Sequence, residues 1–224
     1  MNIKKILLIL FLIIVVSGII FLGLTVRKMV IINNLKNKLA QFINSNNYYV
    51  KTIVDQGDSI VITDFYCKDS SAILLLNSTI KSNREERKLI NYFEGDKINT
   101  YIESAGNKVA LLDSNATPSK VEILNSFQFE NNVWKLFQTS TKLSIKNSKL
   151  DGKECYVING GQQTEAYIEK ETGLVIKAKN GFATDEYGNI SDIIVEYYYE
   201  FENVTDDNIK EPNISEYIIL ENNN

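Results

Sequence analysis

From Asp151 to Tyr217 the sequence is a succession of short alternating segments separated by turn chemistry. Gly152, Gly160-Gly161, Thr172-Gly173, Asn180-Gly181 and Gly188-Asn189 supply the breaks. Side chains of a strand repeat every second residue, so this pattern predicts antiparallel strands and excludes a helical body. The clearest segment is Ile193 to Phe201. There Ile193, Val195, Tyr197, Tyr199 and Phe201 fall on one face, and Glu196, Glu200 and Glu202 on the other. One apolar face and one wet face are what a half-covered antiparallel sheet requires. The segment YIEKETGLVIK reads as strand, turn, strand, with Gly173 supplying the positive φ of the loop.

Strands are also predicted upstream. Tyr48 to Val54, Ser59 to Cys67, Ser71 to Leu76, Lys88 to Glu94, Lys97 to Glu103 and Lys108 to Asp113 form a meander of about six within residues 47–114. Val50 and Val54 alternate with polar neighbours, as do Ile60 and Ile62, which predicts an apolar face here too. Residues 118–140 break the pattern. Val121, Leu124, Phe127, Val133, Trp134 and Phe137 are spaced for two short helices interrupted near Asn131-Asn132. About five strands follow within residues 141–221.

The chain begins with two lysines and an uninterrupted apolar run from Ile6 to Val26. A helix of about 20 apolar residues crosses a bilayer core of roughly 30 Å. A cleaved signal peptide has a shorter apolar core ending in small residues, whereas this run ends in Phe21-Leu22-Gly23-Leu24-Thr25-Val26. The expectation is an uncleaved signal anchor over residues 1–27 and an extracytoplasmic domain over 28–224. Basic residues flank the run on both sides, so charge alone leaves orientation open. With no cysteine before Cys67, acylation near the N-terminus is not expected. Within residues 28–46, Val30, Ile31, Leu35, Leu39 and Phe42 have helical spacing. That amphipathic helix either packs on the sheet or lies on the membrane surface.

The chain contains no histidine, which removes Ser-His-Asp and Cys-His nucleophilic systems and His-based metal sites. Carboxylate pairs remain, at Asp185-Glu186 and Asp206-Asp207. Both lie in turn-like stretches and read as solvated surface, Asp206 and Asp207 favouring a helical turn before Pro212. No phosphate loop, CxxC or calcium-loop pattern is present. The expectation is a protein without catalytic, cofactor or metal residues. A net charge of −4 gives no basic patch for nucleic acid. Cys67 and Cys155 admit two readings, a single disulfide or two small buried apolar residues.

The segments GKECYVI, AYIEKETGLVIKAKNG and YEFENVTDDNIKEPNISEY resemble the C-terminal half of the LolA/LolB-like lipoprotein-carrier superfamily. In particular they resemble the membrane-anchored, germination-lipoprotein-related type of Gram-positive bacteria. Val175 stands where the family hairpin often has Pro, and Asn213 where Asp is common. The resemblance implies an α+β fold: an N-terminal transmembrane helix, then one strongly curved antiparallel sheet, an unclosed barrel of about 11 strands, with helices covering its concave face. It implies a non-enzymatic binding protein, anchored by a single span at the cell membrane, that holds a lipid, lipoprotein or other apolar ligand. The alternative is an interaction module serving a cell-envelope or spore-cortex enzyme. The candidate apolar pocket comprises Val50, Val54, Ile60, Ile62, Phe127, Trp134, Phe137, Val195, Tyr197, Tyr199 and Phe201, with the aromatic insert around Trp134 as its lid.

Overall fold

In a computed structural model, which describes residues 3–43, 45–82, 84–115, 132–161, 164–184 and 190–220, the apolar run and the amphipathic segment form one unbroken helix, α1 (Ile3–Ile43). Neither Pro nor an acidic side chain interrupts it. Its first half is exposed apolar surface from Ile6 to Val26, save for Thr25. Its second half buries Ile32, Leu35 and Leu39, three positions on one helical stripe. The amphipathic segment therefore packs on the sheet. Each fully buried aliphatic side chain contributes about 2 kcal/mol, so docking of α1 rests on few residues.

The rest of the chain is one twelve-stranded sheet. β1 (Asn47–Asp55), β2 (Ser59–Lys68), β3 (Ser71–Ile80), β4 (Glu86–Glu94), β5 (Lys97–Ser104) and β6 (Asn107–Asn115) form a first meander. β7 (Ser144–Leu150), β8 (Lys153–Gly161), β9 (Thr164–Glu169), β10 (Val175–Thr184) and β11 (Ile190–Phe201) form a second. The two join where β1 pairs antiparallel with β11, Val50 opposite Tyr199 and Val54 opposite Val195. A short β12 (Ile218–Leu220) adds to β6 in parallel, reached by the crossover that a parallel pair needs. Spatial order is β12-β6-β5-β4-β3-β2-β1-β11-β10-β9-β8-β7, so the ends stay apart and the sheet is unclosed. A second helix, α2 (Val133–Lys142), lies between the meanders in sequence. Asn132 caps its start, accepting from the amides of Trp134 and Lys135. The earlier part of the insert, with Phe127, is outside the described residues, as is the Asp185-Glu186 pair.

Because side chains alternate strictly, the β1–β11 and β1–β2 registers sort the sheet into two faces. Tyr48, Val50, Phe65, Cys67, Ala72 and Phe93 pack together on one. The same face continues through Leu35 of α1 with Ile158, Ala166, Ile168, Val175 and Ala178; we call it the helix face. The other face is also apolar over β1 to β6. Ile73, Ile90, Tyr101 and Ala110 pack there against Val204 and Ile209 of the C-terminal segment, a strap that crosses the strands before β12. This second core departs from the expectation of one greasy face and one wet face. That expectation holds on β11, where Glu200 and Tyr198 are exposed or partly so.

Directional bonds hold the strap. Asn47 on β1 donates its side-chain amide to the carbonyl of Val204 (3.1 Å) and accepts from the Val204 amide (2.9 Å). Asn99 and Tyr101 both donate to Glu211, each at 2.6 Å. Tyr217 donates to Glu103. Asp206 and Asp207 open a 3-10 turn, Asp206–Ile209, capped by Thr205. Asp206 pairs with Lys68 at 2.6 Å, and Ile209 from the same turn plugs the core.

Candidate functional site

The sheet forks at one place. β10 and β11 are laddered from Thr184 opposite Ile190 to Lys177 opposite Glu196, and no further. Beyond Glu196, β11 runs on to Phe201 paired with β1, while the start of β10 stays with β9. Between the diverging strands lies a cleft of about 480 Å³. Leu174, Ile176, Tyr197, Tyr199 and Phe201 wall it, and Phe42 at the end of α1 covers it. The Phe42 and Phe201 rings lie 4.6 Å apart between centroids. Tyr197 and Tyr199 stack at 6.2 Å. Burial pushes the Tyr199 phenol well above its ordinary pKa, so it stays neutral at any physiological pH.

One end of the cleft is polar. Glu169 is only 8% exposed and pairs with Lys153 at 3.1 Å. It also accepts from the Thr172 hydroxyl at 2.6 Å. The tight turn that brings these groups together runs from Glu169 to Leu174, whose backbones exchange a bond across it (2.9 Å). Gly173, at φ +76°, is the pivot. A Cβ there would lie 2.3 Å from the carbonyl oxygen of Leu35, so the hairpin tip meets the backbone of α1 directly. Lys38 of α1 donates to the carbonyl of Lys170 on the same turn. Glu171, Tyr198 and Glu200 also line the space, so it joins aromatic and aliphatic surface to charged groups that include the Lys153–Glu169 pair.

Of the pocket residues expected from sequence, Tyr197, Tyr199 and Phe201 line this cleft. Val50, Val54 and Val195 share its face by register, but Val50 and Val195 are sealed core. Ile60 and Ile62 lie on the opposite face, opposite Asp55 and Ile53 of β1. On β2 it is Val61, Phe65 and Cys67 that share the face of Val54, Val50 and Tyr48; alternation within one strand leaves undetermined which parity points inward. Ile62 borders instead a hollow of about 510 Å³ among Arg87, Lys88, Glu103 and Lys108. Trp134 and Phe137 stack on each other at 5.7 Å and belong to neither wall nor cover of the cleft. The cover is Phe42. Phe42, Ile176, Lys153 and Glu169 were not among the sequence candidates. The available signal was the glycine hairpin that places them beside α1.

Cys67 and Cys155 are both buried, and neither is in a disulfide. In the sheet β2 and β8 are separated by β1, β11, β10 and β9. Adjacent strands are about 4.8 Å apart, so nothing in the pairing brings the two sulfurs within bonding reach. The small-buried-residue reading is the one observed. Among the described residues there is no cluster of three acidic or cysteine side chains that could hold a metal ion.

The described residues form a single-sheet protein with an N-terminal apolar helix, long enough to be a membrane anchor or a signal sequence. No family model matches the chain, and no curated protein does. Among solved structures it is similar to an uncharacterized conserved protein from Thermus thermophilus, at 10% identity and a TM-score of 0.44, over 84% of this chain and 98% of that one. It is also similar to the complex structure of Pseudomonas aeruginosa MucA/MucB, at 12% identity and a TM-score of 0.34, over 84% of this chain and 63% of that one. Likenesses of this size concern sheet-rich architecture alone.

Proposed function

We propose that this chain is a non-enzymatic, membrane-anchored binding protein of LolA-like type, whose domain stands outside the cytoplasm and holds the acyl chain of a lipid or lipidated polypeptide in the cleft between β10 and β11. The carrying observation is the cleft at the fork, lined by Phe42, Tyr197, Tyr199 and Phe201 together with the Lys153–Glu169 pair. The uninterrupted path of α1 from the exposed apolar half to the docked half supports an uncleaved anchor over a removable leader. A helix pinned to the domain by Leu35 and Leu39 holds the cleft at a fixed place relative to the bilayer, so a tethered receptor or chaperone fits better than a diffusing shuttle.

Native mass spectrometry of the full chain after gentle detergent extraction tests this. Wild type should retain a bound lipid-sized mass. Ile176→Asp, which places a charge in the cleft wall, should release it while leaving the fold intact by circular dichroism. Wild type that carries no apolar ligand sinks the reading.

The same fork favours one other occupant. From Tyr198 to Phe201, β11 is laddered with β1 alone among the described strands, an arrangement that admits an extended peptide by strand addition. A retained polypeptide in place of a lipid would make the protein the interaction module of an envelope enzyme.

A further inference from the structure

We propose that α2 is a second membrane contact, an interfacial helix that lies among anionic lipid headgroups beside α1 and sets the domain down on the bilayer. The proposal rests on the anchored reading of α1 and is independent of what fills the cleft.

Position comes first. Lys28 donates its ammonium to the carbonyls of Leu143 (2.6 Å) and Ser140 (3.3 Å), groups at the C-terminal end of α2. Lys28 is two residues beyond Val26, where the apolar run stops. Thr25, one turn earlier, is 1% exposed, although its helical neighbours Leu24 and Val26 are more than half exposed. Ser140 is 0% exposed. Two small side chains sealed at that level place the body of α2 against the last turn of the spanning segment. A ten-residue helix is about 15 Å long, so no part of α2 lies farther than about that from the level of Lys28.

Surface chemistry agrees with that position. α2 points Val133 and Trp134 away from the protein, 72% and 66% exposed, with Phe137 stacked on the indole. Exposed apolar groups on a short helix are costly in water but suit the interface, where Trp is enriched because its ring is apolar and its N–H polar. Charge selects the lipid. Arg27, Lys28, Lys135 and Lys142 lie on the two helices with no acidic residue in either, in a chain whose net charge is −4. A local basic cluster on an acidic protein is attracted to anionic headgroups.

Trp134 is the only tryptophan in the chain, so its fluorescence reports this contact without labelling. The full chain is reconstituted into vesicles of phosphatidylcholine, with or without phosphatidylglycerol. Flotation reads insertion of α1, and quenching of Trp134 by aqueous iodide is compared with quenching by a shallow, headgroup-level doxyl lipid. In the anionic vesicles the doxyl lipid should quench at least about twofold more strongly than iodide, as interfacial placement requires. The double variant Lys135→Glu, Lys142→Glu should float equally well yet lose the preference for phosphatidylglycerol. A chain that floats while Trp134 is quenched by iodide alone overturns the interfacial helix and leaves the anchor standing. A chain that floats with Trp134 shielded from both quenchers also overturns it, since protein then covers the indole. Failure to float overturns the anchor and this proposal together.

Discussion

On the helix face of the sheet, the seal over β8 to β11 is made by Ile32, Leu35 and Leu39 of α1, side chains with no hydrogen-bonding capacity. On the strap face, the seal over β1 to β6 combines Val204 and Ile209 with bonds from Asn47, Asn99, Tyr101 and Tyr217. Apolar contact is non-directional, so the helix can shift by fractions of an ångström at little cost. Hydrogen bonds fix distance and angle, so the strap cannot. The cleft lies at the fork, where residues of both faces of β11 line it and Phe42 of the helix borders it. A ligand entering beneath Phe42 has to displace only a helix end, whereas opening the strap face would strand buried polar groups such as the Tyr101 hydroxyl, on a residue that is 0% exposed.

The largest expected effect tests where that adjustable side is nonetheless rigid. At Gly173 α1 meets the sheet backbone to backbone, with a Cβ lying 2.3 Å from Leu35 O and 3.1 Å from Leu39 N, at φ +76°. Gly173→Ala should cost about 3 kcal/mol, combining a left-handed φ with a clash that neither backbone can relieve locally. Gly95→Ala is the control, since it shares a positive φ of +63° but meets nothing within 4 Å. It should cost only about 1 kcal/mol. Guanidinium unfolding midpoints read both. Equal losses would mean that α1 is not held by this approach.

On the strap face, Asn47→Ala removes both partners of Val204 at once. A buried amide and carbonyl left unpaired make a loss of about 2 kcal/mol the expected outcome. Hydrogen exchange should accelerate across 203–209 while the lipid-binding stoichiometry of the cleft stays unchanged. Loss of ligand along with the strap would show that the two faces are coupled and that their separate modes of closure do not matter.

Much of this architecture is legible in the chain because alternation and turn residues are local signals. Six upstream segments and five downstream ones are strands, set apart by turn residues such as Gly57, Gly95, Gly106 and Gly173. Parity was harder. Ile60 and Ile62 alternate as cleanly as Val61 and Thr63, and only pairing with Val54 and Thr52 on β1 decides which set points inward. The strap was legible only in its Asp206-Asp207 turn; its target across the sheet is a long-range packing choice that no local pattern encodes. Tyr49, Tyr66 and Tyr92 pack against the core beneath the strap, and because a tyrosine suits water and core alike their residue type does not announce it. The cleft itself arises where one ladder stops at Lys177, and a missing pair leaves no trace in composition.

The smallest expected effect uses acid to tell the two closures apart. Glu103 accepts from the Tyr217 hydroxyl, and that bond, followed by the nearby charges of Lys88 and Lys108, holds its carboxyl below the ordinary glutamate value against an opposing contribution from burial. A folded-state value below the unfolded one means that the folded protein resists protonation more than the unfolded chain does. The stabilisation is therefore complete above the ordinary glutamate pKa and is lost as pH falls from there through the depressed folded value. Tyr217→Phe deletes the largest cause of the depression. It should cost about 1 kcal/mol at neutral pH and make unfolding free energy fall less steeply over that acid window. Gly173→Ala, acting at the α1 contact and away from Glu103, should lower the whole pH profile and leave its acid slope unchanged. Chemical denaturation of the three proteins at a series of pH values from neutral down reads both quantities. If Tyr217→Phe keeps the wild-type slope, the strap is held by its apolar plugs alone, and the two faces are closed by the same physics.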